Sequence, residues 1–366
     1  MKVALVYDRV NKWGGAERVL LALHELFPDA HLYTSVYNKK NAKWADAFTV
    51  RTSFLQEFPF AKQAHEYFPL LMPSVFESFN FDTYDLVISV TSESAKGIIT
   101  KPGTLHICYC LTPTRYLWSG FEDYFDNKVI KSLSRPAISY LKRWDKVASF
   151  RPDAYIAISR EVQQRIKQFY GQASTIIHPP VNLMESHDIG SSVSRVGNYY
   201  LVVSRLVRYK RVDLAIKACN ELGVPLKVVG VGSDLQFLKS IAGPTVEFLG
   251  AVSDKELVRL YKGARALLFP GFEDFGIVMV ESMGFGNPVI AYSKGGARDI
   301  VENNKSGIFF PEQTVQSLIG GIKKADSVNF VVENLQRRAS LFSQDIFKTK
   351  MVAFIQKTLQ NAKITL

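Results

Sequence analysis

Two glutamates, Glu273 and Glu281, stand eight residues apart around the pair Phe275-Gly276. An apolar run at residues 264–269 predicts a strand before them, and the pattern after them predicts a helix that begins near Phe275, with Glu281 about two turns inside it. The N–H groups at a helix start favour anions and hydroxyl groups, and a carboxylate beside them can accept hydrogen bonds from sugar hydroxyls. This spacing indicates a site for a nucleotide sugar.

Four cations lie within residues 204–211, at a predicted strand-to-helix junction. Arg205 can bind phosphate oxygens through its planar guanidinium, and Lys210 can do so as a point charge. Arg208 and Arg211 also fit a solvated surface. Because cations at a helix N-terminus oppose the helix dipole, the cluster favours a polyanion site over a plain basic helix start.

A third motif, residues 11–17 with the pair Gly14-Gly15, comes after the first predicted strand. Two glycines let the backbone turn sharply and approach a ligand, and a helix beginning near Ala16 would direct its N–H groups at that ligand. A plain strand-to-helix turn is the alternative interpretation. Asp82 and Asp85 fit the start of a strand better than a metal-binding pair, so we predict no metal and no separate cofactor.

All three motifs follow predicted strands. Short apolar runs alternate with helical patterns, which predicts parallel strands joined by crossover helices. Ligands bind beyond the carboxyl ends of such strands. The predicted strands are residues 2–7, 30–34, 85–90, 104–110, 153–159 and 174–178 in the first half of the chain, and 199–204, 226–231, 246–249, 264–269, 288–292 and 307–310 in the second.

A polar stretch with prolines just before it interrupts the alternation at residues 181–197, and we interpret it as a linker. A chain of 366 residues also favours two domains. We therefore predict Rossmann-like, doubly wound α/β domains at residues 1–180 and 198–345. The end of the chain is mostly helical in pattern, and residues 346–366 are expected to form a helix that packs back toward the first domain.

The composition is that of an ordinary globular protein, with 47% hydrophobic and 22% charged residues. No apolar run approaches the roughly 18 residues that a membrane span needs, and the N-terminus is too short and polar for a signal peptide. The three cysteines have neither a disulfide framework nor zinc-ligand spacing. We expect a cytoplasmic protein, with the inner face of the membrane as a peripheral location.

The net charge of +11 is spread evenly, with 22 Lys and Arg against 17 Asp and Glu in residues 1–180 and 23 against 17 in the remainder. Neither a basic tail nor a basic stripe interleaved with aromatic residues occurs, so nucleic-acid binding is not expected. Diffuse positive charge suits anionic substrates or an anionic bilayer, and a merely solvated basic surface explains it equally well.

Taken together, the motifs resemble those of the retaining glycosyltransferases of family 4, whose GT-B architecture has two Rossmann-like domains facing each other across a cleft. Residues 84–89 and 110–118 further resemble the bacterial branch that builds O-antigen and related polysaccharides with mannose. The matching motifs occur in the family's order over most of the chain: Gly14-Gly15-Ala16-Glu17, Ser204-Arg205 with Lys210, Glu273 with Glu281, Phe275-Gly276, Pro288-Val289-Ile290-Ala291 and Gly295-Gly296.

The resemblance implies a role for each matched residue. The catalytic residues would be Glu273, Arg205 and Lys210: the two cations hold the donor diphosphate, and Glu273 binds hydroxyls of the donor sugar. Glu281 would bind the ribose. Residues 1–180 would bind the acceptor and residues 198–345 the donor. The other donor-binding residues would be Gly14, Gly15, Phe275, Gly276, Ile277, Gly250 and Val252.

One position departs from that branch, which usually has a histidine near the 6-hydroxyl of the donor sugar where this chain has Leu111. The polar contact would then pass to Thr112 or Arg115, which are also the candidate acceptor-binding residues, or the activity would be reduced. The resemblance implies transfer of a hexose, in particular mannose from GDP-mannose, onto a lipid-linked or polysaccharide acceptor, without a metal. A UDP-sugar donor, a sugar-nucleotide epimerase and a weakly catalytic binding protein are the alternatives.

Residues 54–81 are dense in aromatic and aliphatic side chains and are broken by three prolines. The segment fits ordinary core packing. It also fits a partly exposed platform that meets a lipid-linked acceptor at an anionic membrane surface.

Overall fold

The computed structural model describes residues 1–119, 128–183 and 197–361. The chain divides into two compact units, Met1–Pro180 with Gln344–Leu366, and Val181–Ser343. Most of the predicted linker, residues 184–196, lies outside the described residues. Within the described ranges, no helix has both the length and the apolarity that crossing a membrane requires.

The first unit is built on a parallel sheet. Its strands are β1 (Val3–Tyr7), β2 (His31–Thr34), β3 (Val50–Thr52), β4 (Leu86–Thr91), β5 (Leu105–Cys110), β6 (Ala154–Ala157) and β7 (Thr175–Ile176). They lie in the order β3-β2-β1-β4-β5-β6-β7. The central strands β1, β4 and β5 are buried along their whole length, as expected for a parallel sheet covered on both faces.

Helices connect these strands: α1 (Gly15–Leu26), α2 (Met72–Glu77), α3 (Arg115–Trp118), α4 (Lys128–Ala148) and α5 (Arg160–Arg165), which continues as a π-helix over Ile166–Tyr170. Short 3-10 helices cover Lys43–Ala47, Phe54–Glu57, His65–Tyr67, Pro69–Leu71 and Ala95–Gly97. Helix α1 buries one apolar face, which includes Val19, Leu20 and Leu23. Helix α5 begins where the Ser159 hydroxyl accepts a hydrogen bond from the Val162 N–H at 3.2 Å.

The second unit repeats this architecture. Its strands β8 (Tyr199–Val203), β9 (Leu226–Val229), β10 (Val246–Gly250), β11 (Ala264–Phe269), β12 (Val289–Tyr292) and β13 (Gly307–Phe310) lie in the parallel order β10-β9-β8-β11-β12-β13. Its helices are α6 (Val212–Leu222), α7 (Leu235–Ser240), α8 (Asp254–Lys262), α9 (Ile277–Gly284), α10 (Ala297–Ile300), α11 (Val315–Ser327) and α12 (Val332–Ser340), with a 3-10 turn at Arg208–Lys210.

These two sheets confirm the predicted fold class, and each of the twelve predicted strands is present. Two of the elements that were not predicted individually show why. Strand β3 has only three residues and lies at the sheet edge, which leaves little periodicity to read. Helix α4 contains Pro136, and a proline inside a helical pattern usually marks a helix end.

Helix α13 (Gln344–Asn361) belongs to the first unit although it follows the second in sequence. The buried Phe347 packs edge to face on Tyr109 of β5, with ring centroids 5.9 Å apart. Glu25, near the end of α1, accepts a hydrogen bond from Gln344 at 2.5 Å and pairs with Lys348. An apolar contact and a charged contact therefore both attach this helix to the first unit.

Residues 54–81 serve two purposes in the first unit. Part of the segment is core, and its buried side chains include Leu55, Met72, Val75, Phe76 and Phe81. The rest, which we name the exposed apolar segment, consists of Phe54, Phe58, Phe60, Tyr67 and Leu70. Phe60 and Tyr67 are 80% and 82% exposed, so core packing accounts for only part of this sequence.

Candidate functional site

The predicted donor residues of the second unit lie at the point where its strand order reverses. Strands β8 and β11 are neighbours, yet the chain continues from them toward opposite edges of the sheet, from β8 to β9 and from β11 to β12. Crevices of this kind, beyond the carboxyl ends of the two strands, are the usual ligand sites of open parallel sheets. Arg205 and Lys210 follow β8, and Glu273 follows β11, so both predicted motifs flank the crevice.

Lys210 and Glu273 form an ion pair through the lysine Nζ and the carboxylate Oε1. The two side chains are only 16% and 14% exposed, so the pair is largely withdrawn from water. Removing one member of such a pair leaves an uncompensated charge in a poorly solvated place. The structure thus brings together the predicted diphosphate-binding lysine and the predicted sugar-binding carboxylate.

Arg205 joins this group through Tyr209, a residue that the sequence analysis did not select. The Arg205 guanidinium donates to the Tyr209 hydroxyl at 2.9 Å, and the Lys210 Nζ lies 5.1 Å from the centroid of the Tyr209 ring. The Arg205 side chain is exposed. Arg211 is not simply solvated, because it makes two hydrogen bonds to Asp213 in the first turn of α6.

The loop that carries Glu273 is held by backbone packing against the loop after β12. The Gly296 N–H donates to the Glu273 carbonyl at 2.8 Å. A Cβ atom at Gly296 would lie 2.4 Å from the Phe275 Cα, and one at Gly295 would lie 2.3 Å from the Glu273 carbonyl oxygen. Only glycine permits this approach, which explains the physical role of the Gly295-Gly296 motif.

Helix α9 begins at Ile277 rather than near Phe275, because Gly276 adopts a left-handed conformation with φ of 106°. A side chain at Gly276 would be strained by this φ and would also meet Phe269 and Met279. No side chain caps the helix start. The later start corrects one detail of the prediction: Glu281 lies just over one turn inside the helix, not two.

Glu281 accepts a hydrogen bond from the Tyr261 hydroxyl of α8 at 2.9 Å. The Tyr261 ring is stacked on Phe285, with centroids 5.4 Å apart, so the carboxylate is oriented by a rigid aromatic pair. Gly250 is the last residue of β10 and has a φ of 67°. Val252 lies in the loop between this residue and α8. The structure places both of these predicted donor-binding residues at the carboxyl edge of the sheet.

Two further glycines shape this edge and were missed by the sequence analysis. Gly230 and Gly232 follow β9. A Cβ atom at Gly230 would lie 1.8 Å from the Ser204 carbonyl oxygen, and one at Gly232 would lie 2.1 Å from the Leu206 carbonyl oxygen. The loop after β9 therefore presses its backbone against the loop that carries Arg205. The local signal was available, since two glycines alternate with valines at the end of a predicted strand.

In the first unit, Gly14 and Gly15 are exposed at the start of α1, where Gly14 is the N-cap residue and provides no capping side chain. Glu17 is buried in the first helical turn and accepts a hydrogen bond from the Tyr7 hydroxyl at 2.8 Å. Burial and the neighbouring Glu17 raise the pKa of Tyr7 well above its usual value. The glycine pair thus borders a helix start that already holds one carboxylate.

The predicted acceptor residues Thr112 and Arg115 follow β5. The Thr112 hydroxyl is buried and accepts from Arg165 at 3.3 Å. Arg115 is half-buried in the first position of α3. Neither position by itself identifies an acceptor.

A buried network fixes the backbone around Arg115. Asp145 accepts hydrogen bonds from the Thr114 hydroxyl at 3.0 Å and from the Trp118 indole at 2.7 Å, and it pairs with the buried Lys96. Because every member is satisfied by another, this cluster is structural.

A second polar cluster, consisting of Arg9, Asn11, His65 and Glu93, lies in the first unit and was not predicted. Arg9 follows β1 and Glu93 follows β4, and the guanidinium donates to the carboxylate at 2.6 Å. Burial raises the pKa of Glu93. His65 is only 1% exposed, and burial together with the positive charges of Arg9 and Lys12 lowers its pKa to about 3. The imidazole is therefore neutral at physiological pH.

Asp8 positions the loop that carries Glu93. Its buried carboxylate accepts hydrogen bonds from the backbone N–H groups of residues 92–95, at 2.7 to 3.0 Å, and from the Thr91 hydroxyl. A carboxylate with this many donors holds the loop in one conformation. Within the described residues, no group of three or more histidine, cysteine, aspartate or glutamate side chains has a metal-binding arrangement.

Two Rossmann-like units with parallel sheets of seven and six strands define the GT-B fold. A solved structure of HepE from Anabaena in complex with UDP superposes with a TM-score of 0.71, covering 98% of this chain and 100% of that chain at 18% sequence identity. Likeness at this level of identity establishes the fold and nothing finer.

The match to a family model lies in the second unit. Residues 191–339 match the family of glycosyl transferases group 1, so the second unit has the sequence signature of that family. An uncharacterized glycosyltransferase of Methanocaldococcus jannaschii is 30% identical over 134 residues, covering 34% of each chain. A GDP-mannose-dependent alpha-mannosyltransferase of Mycobacterium tuberculosis is 33% identical over 138 residues, covering 37% of this chain and 35% of the relative. The chain thus spans about a third of the length of these curated relatives.

Proposed function

We propose that this protein is a retaining glycosyltransferase of family 4 that transfers a hexose from a nucleotide sugar to a glycan acceptor. The observation that carries the proposal is the Lys210–Glu273 pair at the point of strand-order reversal of the second unit. A cation for a diphosphate and a carboxylate for sugar hydroxyls stand side by side there. The family match covers the same unit.

The proposed chemistry follows from charge. Cleavage of the anomeric C–O bond leaves an oxocarbenium-like sugar and a nucleoside diphosphate that gains negative charge. Arg205, Lys210 and the N–H groups at the start of α9 stabilise that leaving group, and this contribution requires no metal. Glu273 and the N–H groups from Phe275 to Ile277 position the donor sugar, while Glu281 binds the ribose. Gly250 and Val252 border the base.

Retention of configuration is proposed to occur by internal return, in which the leaving phosphate accepts the proton of the acceptor hydroxyl. The new glycosidic bond then forms on the face from which the diphosphate departs. In this scheme Glu273 acts by binding hydroxyls and not as a nucleophile or base, since its carboxylate is engaged by Lys210.

For the donor we propose GDP-mannose, supported by the motifs shared with mannose-transferring enzymes and by the GDP-mannose-dependent relative. A UDP-sugar is the second candidate, supported by the structural similarity to a UDP-bound protein. A thermal-shift comparison of GDP-mannose, UDP-glucose, UDP-GlcNAc, GDP and UDP separates them. A donor present at a hundred times its Kd stabilises the folded protein by about 2.7 kcal/mol. Nucleotides with the correct base should therefore raise the melting temperature more than those with the other base.

The roles of the site residues are tested by transfer and donor hydrolysis with the donor so identified. Glu273→Ala should reduce transfer by about a hundredfold to a thousandfold, the range found when a key polar contact of a transition state is removed. Glu333→Ala, which removes an exposed carboxylate of α12, is the matched control and should leave the rate unchanged. Unaltered transfer in Glu273→Ala would show that the site is assigned wrongly.

For the acceptor we propose a lipid-linked glycan met at the membrane, with Thr112 and Arg115 on the acceptor side. Support comes from the exposed apolar segment of the first unit, in a chain with a net charge of +11. Flotation with vesicles that contain phosphatidylglycerol should recover wild type, and the double variant Phe60→Ser with Tyr67→Ser should bind at least fivefold less. Phe237→Ser, at a 53% exposed position of the second unit, is the control. Absence of wild-type binding to anionic vesicles at moderate salt would overturn the membrane proposal.

A further inference from the structure

The cluster of Arg9, Asn11, His65 and Glu93 lies at the point of strand-order reversal of the first unit. Strands β1 and β4 are neighbours in the sheet, and the chain continues from them toward opposite edges. Arg9 follows β1 and Glu93 follows β4, so their side chains flank a crevice of the type that binds ligands in open parallel sheets. Position alone, however, does not identify a ligand.

The hydrogen bonding of the cluster supplies a second and independent observation. Arg9 Nε, Asn11 Oδ1 and His65 Nε2 are buried atoms that have no hydrogen-bond partner among the described residues. Asn11 and His65 are 9% and 1% exposed. Buried polar groups are nearly always satisfied in folded proteins, so three unsatisfied atoms in one cluster indicate that the cluster binds a polar group.

The chemistry of the three atoms restricts that occupant. Arg9 Nε is a donor and Asn11 Oδ1 is an acceptor, while the neutral His65 ring offers either role at Nε2. The positive charge of Arg9 is already balanced by Glu93 at 2.6 Å. The diphosphate of a lipid carrier offers mainly acceptors and would be repelled by the Glu93 carboxylate, whereas a neutral hydroxyl group both donates and accepts.

The geometry between His65 and Glu93 also fits a hydroxyl. His65 Nε2 and Glu93 Oε2 are 3.9 Å apart, which is too far for a direct hydrogen bond. An oxygen at about 2.8 Å from each atom fits between them, with its proton directed at the carboxylate and its lone pair at an imidazole N–H. On the other side of the ring, Nδ1 of this tautomer accepts a hydrogen bond from Asn11 Nδ2 at 3.4 Å, which orients the imidazole, and Glu66 Oε2 lies 3.3 Å from the same nitrogen without receiving a proton from it.

We propose that this cluster binds a neutral, hydroxyl-rich group, namely a sugar residue of the acceptor, and that His65 and Glu93 together hold one of its hydroxyls. The inference rests on the proposed function, because a sugar acceptor is expected only of a glycosyltransferase. It names the recognised part of the acceptor as a sugar ring and not the phosphate of a lipid carrier.

The test is saturation-transfer NMR on the full chain with three probes, methyl α-mannopyranoside, methyl α-glucopyranoside and methyl β-galactopyranoside, at millimolar concentrations. The key comparison is between two substitutions of one residue. His65→Gln keeps an amide nitrogen near the position of Nε2, whereas His65→Asn keeps polar atoms only near Nδ1. At least one glycoside should bind the wild type and His65→Gln, and it should bind His65→Asn and Asn11→Ala five- to tenfold more weakly, the effect of one lost hydrogen bond.

Glu273→Ala is the control that assigns the signal to the first unit, since a glycoside bound in the donor site would lose affinity in that variant. Circular dichroism melting curves verify that each variant is folded. The inference is wrong if no glycoside binds the wild type, which would leave water as the occupant, or if His65→Asn binds as tightly as wild type. It is also wrong if Glu273→Ala abolishes the signal or if inorganic phosphate displaces the glycoside.

These outcomes are separate from those that test the proposed function. A protein that is stabilised by a nucleotide sugar and transfers its sugar, but binds no glycoside through His65, contradicts only the inference. A protein that binds glycosides through His65 but is neither stabilised by any donor nor active contradicts only the proposed function.

Discussion

In the first unit, Arg9 follows β1 and Glu93 follows β4. In the second, Lys210 follows β8 and Glu273 follows β11. Each unit therefore places a cation and a carboxylate in contact where its strand order reverses. The surroundings differ: two more polar side chains with unsatisfied atoms accompany the first pair, whereas a second cation, Arg205, accompanies the other. The shared topology determines the location, and the neighbouring side chains determine the chemistry.

The two loops are also held by different means. In the second unit, glycines let backbone pack directly on backbone, as at Gly296 against Phe275. In the first unit, the carboxylate of Asp8 accepts hydrogen bonds from the backbone N–H groups of residues 92–95. Close packing tolerates no added atom, whereas a hydrogen-bonded cluster depends on charge and lone pairs. Each loop should therefore fail under a different substitution.

The largest effect is expected from Gly296→Ala. The new methyl group would lie 2.4 Å from the Phe275 Cα, so the loop that carries Glu273 must move. We expect transfer to fall at least a hundredfold and the free energy of unfolding to fall by about 3 kcal/mol, the upper range for overpacking. Gly320→Ala in α11, where a Cβ meets no atom within 4 Å, is the control and should stabilise by up to about 1 kcal/mol. Unchanged transfer in Gly296→Ala would show that close packing does not position Glu273.

A smaller effect is expected from Asp8→Asn in the first unit. The substitution keeps the shape but replaces one acceptor oxygen by an NH2 group that faces backbone donors. Leaving buried donors unsatisfied should lower the free energy of unfolding by about 2 kcal/mol, and amide exchange should rise at residues 92–95. Exposed Asp29→Asn should change stability by less than about 0.5 kcal/mol. Amide exchange at residues 92–95 that is slower or unchanged in the Asp8 variant would contradict the role of this carboxylate.

The same contrast explains what could be predicted from the sequence. The strands could be predicted because apolar runs and turn residues are local. The candidate site of the second unit could be proposed from the sequence because Glu273 and Glu281 belong to one short motif. The cluster of Arg9, His65 and Glu93 has no local spacing, since strand pairing between β1 and β4 assembles it from distant segments. His65 was further obscured by the aromatic residues around it. Exposure of Phe60 beside buried Leu55 likewise depends on tertiary packing.

The units should also differ in their response to acid. His106 of β5 is fully buried, and burial together with Arg151 lowers its pKa to about 3, against about 6.5 in an unfolded chain. Between these values the unfolded state binds the extra proton, so stability falls as the pH decreases through 6.5 toward 3. The loss from pH 7.5 to pH 5 is about 2 kcal/mol per histidine, and His65 adds a second such group. In the second unit the sequence has one histidine, at position 187, outside the described residues.

Hydrogen exchange followed by mass spectrometry at pH 7.5 and pH 5, corrected for intrinsic rates, resolves the two units. Amides of β1, β4 and β5 should lose protection at the lower pH, and amides of β8, β11 and β12 should not. His106→Gln retains an amide group near the Ser89 hydroxyl, which bonds His106 Nε2 at 2.8 Å, and it cannot be protonated. This variant should remove about half of the acid sensitivity of the first unit, because His65 remains. The buried histidines would not control acid stability if both units lost protection equally. The same conclusion would follow if His106→Gln lost as much protection between pH 7.5 and pH 5 as the wild type.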